Sequence, residues 1–395
     1  MAYASGNIMK SIEQTGLRTA IGGTLAFIVV MGIGRFAFTA ILPDMMNSYG
    51  FGEDTAGVMA AWNYAGYLAG VLLMRGVTSG KRRFDLFIIF LVASLITTAG
   101  MGLTAVPHLL HGIRFVAGVA SGACFVLCSS IVLDTLTALN RPVLAGVFYS
   151  GVGMGIALGG LTAGPLAAAG GPEGAWFGLA GLCLPLACIS LLFLRASPGN
   201  SLARTASFSA PPAKPKGQTK KYRLLLTAYF LEGFGYIIGA TFLVTLVQNT
   251  TNSPDIARAS WIATGCAAAL SAPLWRLAAR KGYLPMLILA FVLQGIGALL
   301  PVVSNSIVAA LGGGLLLGGT FMGITVLSLQ YGVQLSGKPS AYTVAVMTAL
   351  YGIGQIIGPI VAGGQGFYTA FIVSAASLFV GAVFLAAASF VNANQ

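Results

Sequence analysis

Three ionisable residues, Arg35, Arg114 and Glu232, lie deep inside long apolar stretches of this sequence, and their types define the chemistry open to it. A guanidinium carries five N–H donors in a planar fork that fits a carboxylate, sulfonate or phosphate, and it cannot shed its charge to escape burial. Within a membrane such a group costs about 2.5–3.5 kcal/mol on insertion scales, so it is expected to face a cavity or a partner. Glu232 is the one carboxylate well inside an apolar run, nine residues after Arg223 and about 13 Å further along a helix. The charge of a carboxyl there depends on what surrounds it, which is the property proton coupling requires. Uncharged polar groups accompany these three. Asn63 and Tyr67 share a helical face beside Trp62, and Tyr149, Tyr229, Tyr236 and Tyr351 interrupt other apolar runs. Gln355 stands between Gly354 and Gly358, where an amide can orient a ligand or bond across helices. No phosphate-binding loop, H-E-x-x-H or cluster of metal ligands is present, so neither a cofactor nor a metal is expected, nor an enzyme.

The elements that must position these residues follow from composition. Of the 395 residues, 57% are hydrophobic and 8% charged, where a soluble domain carries about 25% charged residues. The apolar runs suit membrane-spanning helices and lack the alternation of a membrane barrel. Twelve spans are expected, near 18–43, 55–78, 84–106, 107–133, 142–169, 174–194, 222–248, 256–279, 283–303, 305–334, 340–364 and 367–391. The net charge of +12 is a matter of sidedness rather than of nucleic-acid binding. With the N-terminus inside, every Lys and Arg falls on the cytoplasmic side except Arg35 and Arg114, which lie within spans, and Arg258. The opposite side receives Asp44, Glu53, Asp54, Glu173 and Asp255. By the positive-inside rule both termini are cytoplasmic. The five cysteines all fall within spans and form no disulfide framework.

Residues 195–221 are rich in Pro, Ser and Lys, contain no acidic residue, and read as a basic linker attracted to anionic lipid. It separates a cytoplasmic N-terminus (1–17) and a first bundle (18–194) from a second bundle (222–395). The halves align without gaps at an offset of 201, which pairs Gly32 with Gly233, Gly34 with Gly235, Gly122 with Gly323 and Arg75 with Arg276. At the same offset Arg35 faces Tyr236 and Glu232 faces Met31, so the cations fall on one half and the acid on the other. Parallel repeats with a midplane site between them mark one large class of transporters.

Twelve spans, a basic central loop and paired halves resemble the major facilitator superfamily over nearly the whole chain. GIGRF at 32–36, EGFGY at 232–236 and YGIGQIIGP at 351–359 resemble its bacterial YbfB/YjiJ-like branch. The loop after the second span departs from the superfamily pattern: GYLAG at 66–70 keeps its opening, but the usual aspartate is missing and only Lys81, Arg82 and Arg83 match its basic end. The resemblance implies an all-α membrane protein with two pseudo-symmetric six-helix bundles, multi-pass in a bacterial inner membrane. It also turns the first and fourth helices toward a central cavity. Arg114, in RFVAG at 114–118, is similar to the fourth-helix arginine that the superfamily associates with proton coupling.

The expectation is therefore a monomeric, proton-coupled carrier of a small organic anion. Arg35 and Arg114 would hold the anionic group, Glu232 would carry the proton, and Asn63, Tyr67, Tyr149, Tyr236, Tyr351 and Gln355 would shape the rest of the site. Two alternatives are a proton-driven exporter of drugs or amphiphilic metabolites, with structural arginines, and an anion-binding membrane sensor.

Overall fold

The computed structural model describes residues 2–200 and 218–391; most of the expected linker lies outside the described residues. Among the described residues the chain is helical throughout, without strands, and eleven segments are long and apolar enough to cross a membrane. In chain order the helices are α1 (Ala2–Phe27), α2 (Ala37–Tyr49), α3 (Glu53–Leu73), α4 (Gly80–Gly100), α5 (Pro107–Ala138), α6 (Ala145–Arg195), α7 (Gln218–Thr251), α8 (Pro254–Ala278), α9 (Tyr283–Val303), α10 (Ile307–Ser336), α11 (Ser340–Gln365) and α12 (Phe367–Ser389).

Two of these deserve a physical account. Helix α6 has 51 residues, which would reach about 76 Å if straight, more than twice a bilayer core. It is not straight. Gly171 takes φ +66° and ψ −170°, a region essentially closed to side-chain-bearing residues, and Pro172 then starts a new arm. Leu166 packs against Gly178, twelve positions on, so the arms fold back on each other. The break falls in the gap between the expected fifth and sixth spans, and the two arms are those spans.

The second is the first span. Helices α1 and α2 are joined by a π-helical turn, Ile28–Ile33, so that one crossing runs from Glu13 to Tyr49. There the Gly34 N–H bonds the Val29 carbonyl, one residue further back than in an α-helix. Gly32 lets this turn press on the second half of the same bundle, because any Cβ there would overlap the backbone of Gly155 in α6. The helix restarts with the Thr39 N–H on the Phe36 carbonyl, three residues back, at 3.2 Å. The Arg35 carbonyl, which an unbroken helix would have paired with that N–H, is thereby released.

The helices sort into two bundles. In the first, α3 lies against α5 and α1 against both arms of α6; in the second, α8 lies against α10 and α7 against α11 and α12. The bundles meet along α3 with α11 and along α6 with α8, two pairings that exchange under a six-helix shift. Thr39 donates its hydroxyl to the Ala240 carbonyl at 2.7 Å, and the two residues are 201 positions apart. A residue and its repeat counterpart can touch only near the axis that relates the halves. That contact places the break in the first span on the pseudo-twofold axis and supports the alignment offset better than matching glycines could.

The ends of the bundle differ. At the acidic end, Glu53 of α3 accepts the Phe367 N–H at the start of α12 at 2.6 Å, while Gly57 packs on Pro359 and Gly363 of α11. At the basic end Arg83 pairs with Asp134 and donates to the Gly199 carbonyl at 3.1 Å, although the loop before it lacks the superfamily's aspartate. A cavity of about 620 Å³ opens at this end between the two halves, lined by Leu133, Gly146 and Tyr149 from one and by Arg276, Arg280 and Gln330 from the other.

Candidate functional site

The released turn puts Arg35 at the centre of the molecule. Its side chain is 3% exposed, and among the described residues no carboxylate pairs with it. The guanidinium lies over the Tyr67 ring at 3.9 Å and over Tyr64 at 4.9 Å, both from α3. One terminal nitrogen donates a long bond, 3.4 Å, to Gln355 Oε1 of α11, and Nε has no partner. Gln355 in turn donates to the Tyr236 hydroxyl of α7 at 2.9 Å. A cation held by ring faces and one long bond has most of its donor capacity unspent.

Arg114, also buried, stands behind Arg35 rather than beside it. It donates to the released Arg35 carbonyl at 3.5 Å and covers the Phe38 ring at 4.4 Å. Asn63 donates Nδ2 to the Arg114 carbonyl at 2.9 Å, tying α3 to α5, and its Oδ1 has no partner. Arg114 and Asn63 thus reach the site through the backbone that carries Arg35.

On the other half, four aromatic rings stack in succession: Phe321 on Tyr236 at 5.4 Å, Tyr236 on Tyr351 at 5.7 Å, and Tyr351 on Tyr229 at 4.6 Å. Glu232 lies beside Tyr351 of this stack, fully buried. Tyr351 and Gln294 present polar groups to its carboxyl, but neither carboxyl oxygen closes a hydrogen bond. Among the described residues Glu232 forms no ion pair, so it is not a brace tied to an arginine.

Tyr149 is apart from this cluster, in the wall of the basic-end cavity and against Phe148 and Phe27. Phe27 stacks on Phe125, whose ring meets Tyr67, so aromatic contacts run from the cavity wall to the ring beneath Arg35. Trp62 faces outward, 46% exposed, and is no part of the site. Three residues escaped the sequence reading. Tyr64, beneath Arg35, bonds Thr241 of the other half at 2.8 Å, and Gln294 faces Glu232. Gln294 carried a signal, being an amide in the middle of an apolar helix; the Tyr64–Thr241 pair carried none, because it exists only across the two halves.

A family model described as "Uncharacterised MFS-type transporter YbfB" matches residues 27–392. Over 218 residues the chain is 24% identical to a protein of Pseudomonas putida named a gallate transporter; the match takes in 54% of this chain and 46% of that protein's length. Among solved structures, the nucleoside transporter NupG superposes with a TM-score of 0.68 at 16% identity, covering 96% of this chain and 100% of that one. A bacterial homologue of the human lysosomal transporter Spinster, in an inward-facing and unoccupied conformation, superposes with a TM-score of 0.63 at 16% identity, with 95% of each chain covered. At that identity the likeness is one of fold. With two helical bundles, a broken first span on their common axis and a family match over nearly its whole length, the chain belongs to the YbfB-type family of major facilitator transporters.

Proposed function

We propose that this transporter carries a small organic anion, a carboxylate or a sulfonate, together with a proton. The observation that supports this reading is Arg35: a permanent cation, buried on the axis between the bundles, with no anion of its own. Leaving such a charge unpaired costs several kcal/mol, which a carboxylate or sulfonate on the guanidinium fork offsets. Gln355 and Tyr236 bring the second bundle to the same group, so binding an anion draws on both halves. The aromatic surroundings of Arg35, with the Tyr67 ring beneath it and the Tyr236 hydroxyl on Gln355, suit a planar aromatic acid, and the name of the Pseudomonas putida relative points to the same class. Arg114 and Asn63 hold the broken span that presents Arg35, and Tyr149 lines the approach from the basic end. Glu232 takes and releases the proton.

Symport is the direction that this charge balance favours. A proton entering with an anion cancels work of about 2.3 kcal/mol per charge per 100 mV. The protein acts as a monomer in the bacterial inner membrane, with its basic end and both termini in the cytoplasm, and the cavity at the basic end is then open inward.

The test is the thermal stability of the purified protein against a panel of benzoates, aliphatic carboxylates and sulfonates at acidic and alkaline pH. A ligand at a hundred times its Kd stabilises by about 2.7 kcal/mol. Stabilisation of the wild type by anions, greater at acidic pH and absent in Arg35→Gln and Arg114→Gln, is the expected result. If anions have no effect while lipophilic cations stabilise all three proteins equally, the arginines are structural and the protein is an exporter of amphiphiles.

A further inference from the structure

Glu232 of α7 and Gln294 of α9 stand on touching helices within reach of each other, yet none of the four oxygen and nitrogen atoms of their carboxyl and carboxamide closes a hydrogen bond, and both side chains are 0% exposed. Gln294 sits in the middle of α9, a helix that packs on α10, α12 and α7. The pair therefore lies inside the second bundle. The ring of Tyr351, whose hydroxyl reaches toward the Glu232 carboxyl, stacks on Tyr236 of the Tyr236–Gln355–Arg35 chain. Two buried polar side chains left unsatisfied destabilise the fold, so their retention calls for a state in which they bond.

Hydrogen-bond inventory identifies that state. A carboxylate only accepts, whereas a carboxamide has one accepting and one donating end. Side by side, Gln294 Nε2 can serve one oxygen of an ionised Glu232, but Gln294 Oε1 then meets the other oxygen acceptor to acceptor. Protonation removes the conflict. The new O–H donates to Gln294 Oε1 while the acid's carbonyl oxygen accepts from Nε2, closing two reciprocal bonds. The proton comes from hydronium, which leaves as water, and a single O–H bond forms on Glu232.

We propose that Gln294 is the positioning residue for the coupling proton: with Glu232 it forms an acid–amide pair that recognises the protonated carboxyl inside the second bundle. This rests on the reading of Glu232 as the proton carrier. The other groups that face the pair are neutral. Tyr351 comes from α11, Tyr229 and Tyr236 lie one helical turn to either side on α7, and Thr325 of α10 stands beside Tyr229. From α12, Ser374 and Ser377 are spent on the α7 carbonyls of Gly235 and Leu231. No charged side chain among the described residues forms an ion pair there.

Infrared difference spectroscopy of the purified full-length protein through a pH step reads the pair directly, with the proton as the probe and no need of a substrate. The carbonyl stretch of a protonated, hydrogen-bonded carboxylic acid is expected in the wild type and lost in Glu232→Gln. In Gln294→Met, which keeps the length of the side chain and its fit to a helix, the band moves up toward the free-acid position. Isotope labelling of glutamine in the wild type gives a second readout that does not depend on a variant folding: a side-chain amide band that shifts with the pH step and stops shifting in Glu232→Gln. If the acid band persists unmoved in Gln294→Met, or the labelled amide band ignores the pH step, the role of Gln294 is overturned while Glu232 stands as the proton carrier. If no band depends on Glu232, proton coupling at this site falls with it, whereas anion binding at Arg35 is decided separately by thermal stability.

Discussion

Arg35 and Arg114 are identical in type and both buried, yet their surroundings assign them different work. Arg35 stacks on Tyr67 and reaches Gln355, whereas Arg114 reaches the backbone of Arg35 and the ring of Phe38. Substitution by lysine separates planarity from charge. An ammonium keeps the charge but loses the fork and the stacked contact, so Arg35→Lys is expected to weaken anion binding by about tenfold or more while leaving it measurable, since hydrogen bonds to charged groups contribute about 1.5–3 kcal/mol. Titration of the best-stabilising anion against wild type and variant checks this; equal affinities would show that only charge is read. That an arginine, a tyrosine pair and an amide stand out from lipid-facing sequence was legible from their isolation in apolar runs, and the fold brings them together. Their order was not, because which donor meets which acceptor depends on side chains from four different helices.

At the scale of elements, the device that sets the site is a break in a helix. The π turn before Gly34 and the restart at Thr39 release the Arg35 carbonyl, and Gly32 brings the turn onto Gly155. Glycines at 32 and 34 announce a weak point in the first span, and the turn that results is a matter of packing. The contact between Glu53 and the start of α12 acts in the same way across the halves. A carboxylate on the first N–H of a helix satisfies an orphan donor and complements the helix dipole, worth about 1–2 kcal/mol. Because it joins the two bundles at the acidic end, it must break whenever that end opens. Glu53→Ala is therefore expected to raise at least fivefold the alkylation rate of a cysteine introduced at Ala362, which is fully buried in α11, in a background lacking the exposed Cys188 and Cys266. An unchanged rate would mean that the small-residue packing of α3 on α11 alone holds this end shut.

For the whole molecule, the sidedness of charge makes a direct claim about orientation. Reporter domains fused after Arg75, Arg141 or Arg276 are expected to be active only in the cytoplasm, and fusions after Asp54 or Glu173 only outside; the reverse pattern would turn the cavity at the basic end outward and with it the favoured direction of transport. The sequence by itself determined the membrane class, the helical spans, the pairing of halves and the short roll of polar residues that no lipid-facing surface tolerates, because hydrocarbon leaves so few places for charge and free backbone. It could not say that Arg35 lies near the axis, that Arg114 donates to the Arg35 carbonyl, or that Glu232 lies within reach of Gln294 and Tyr351. Those assignments depend on contacts between residues such as Thr39 and Ala240, 201 positions apart. Hydropathy and spacing describe each helix against the membrane, whereas the site is made by helices against one another.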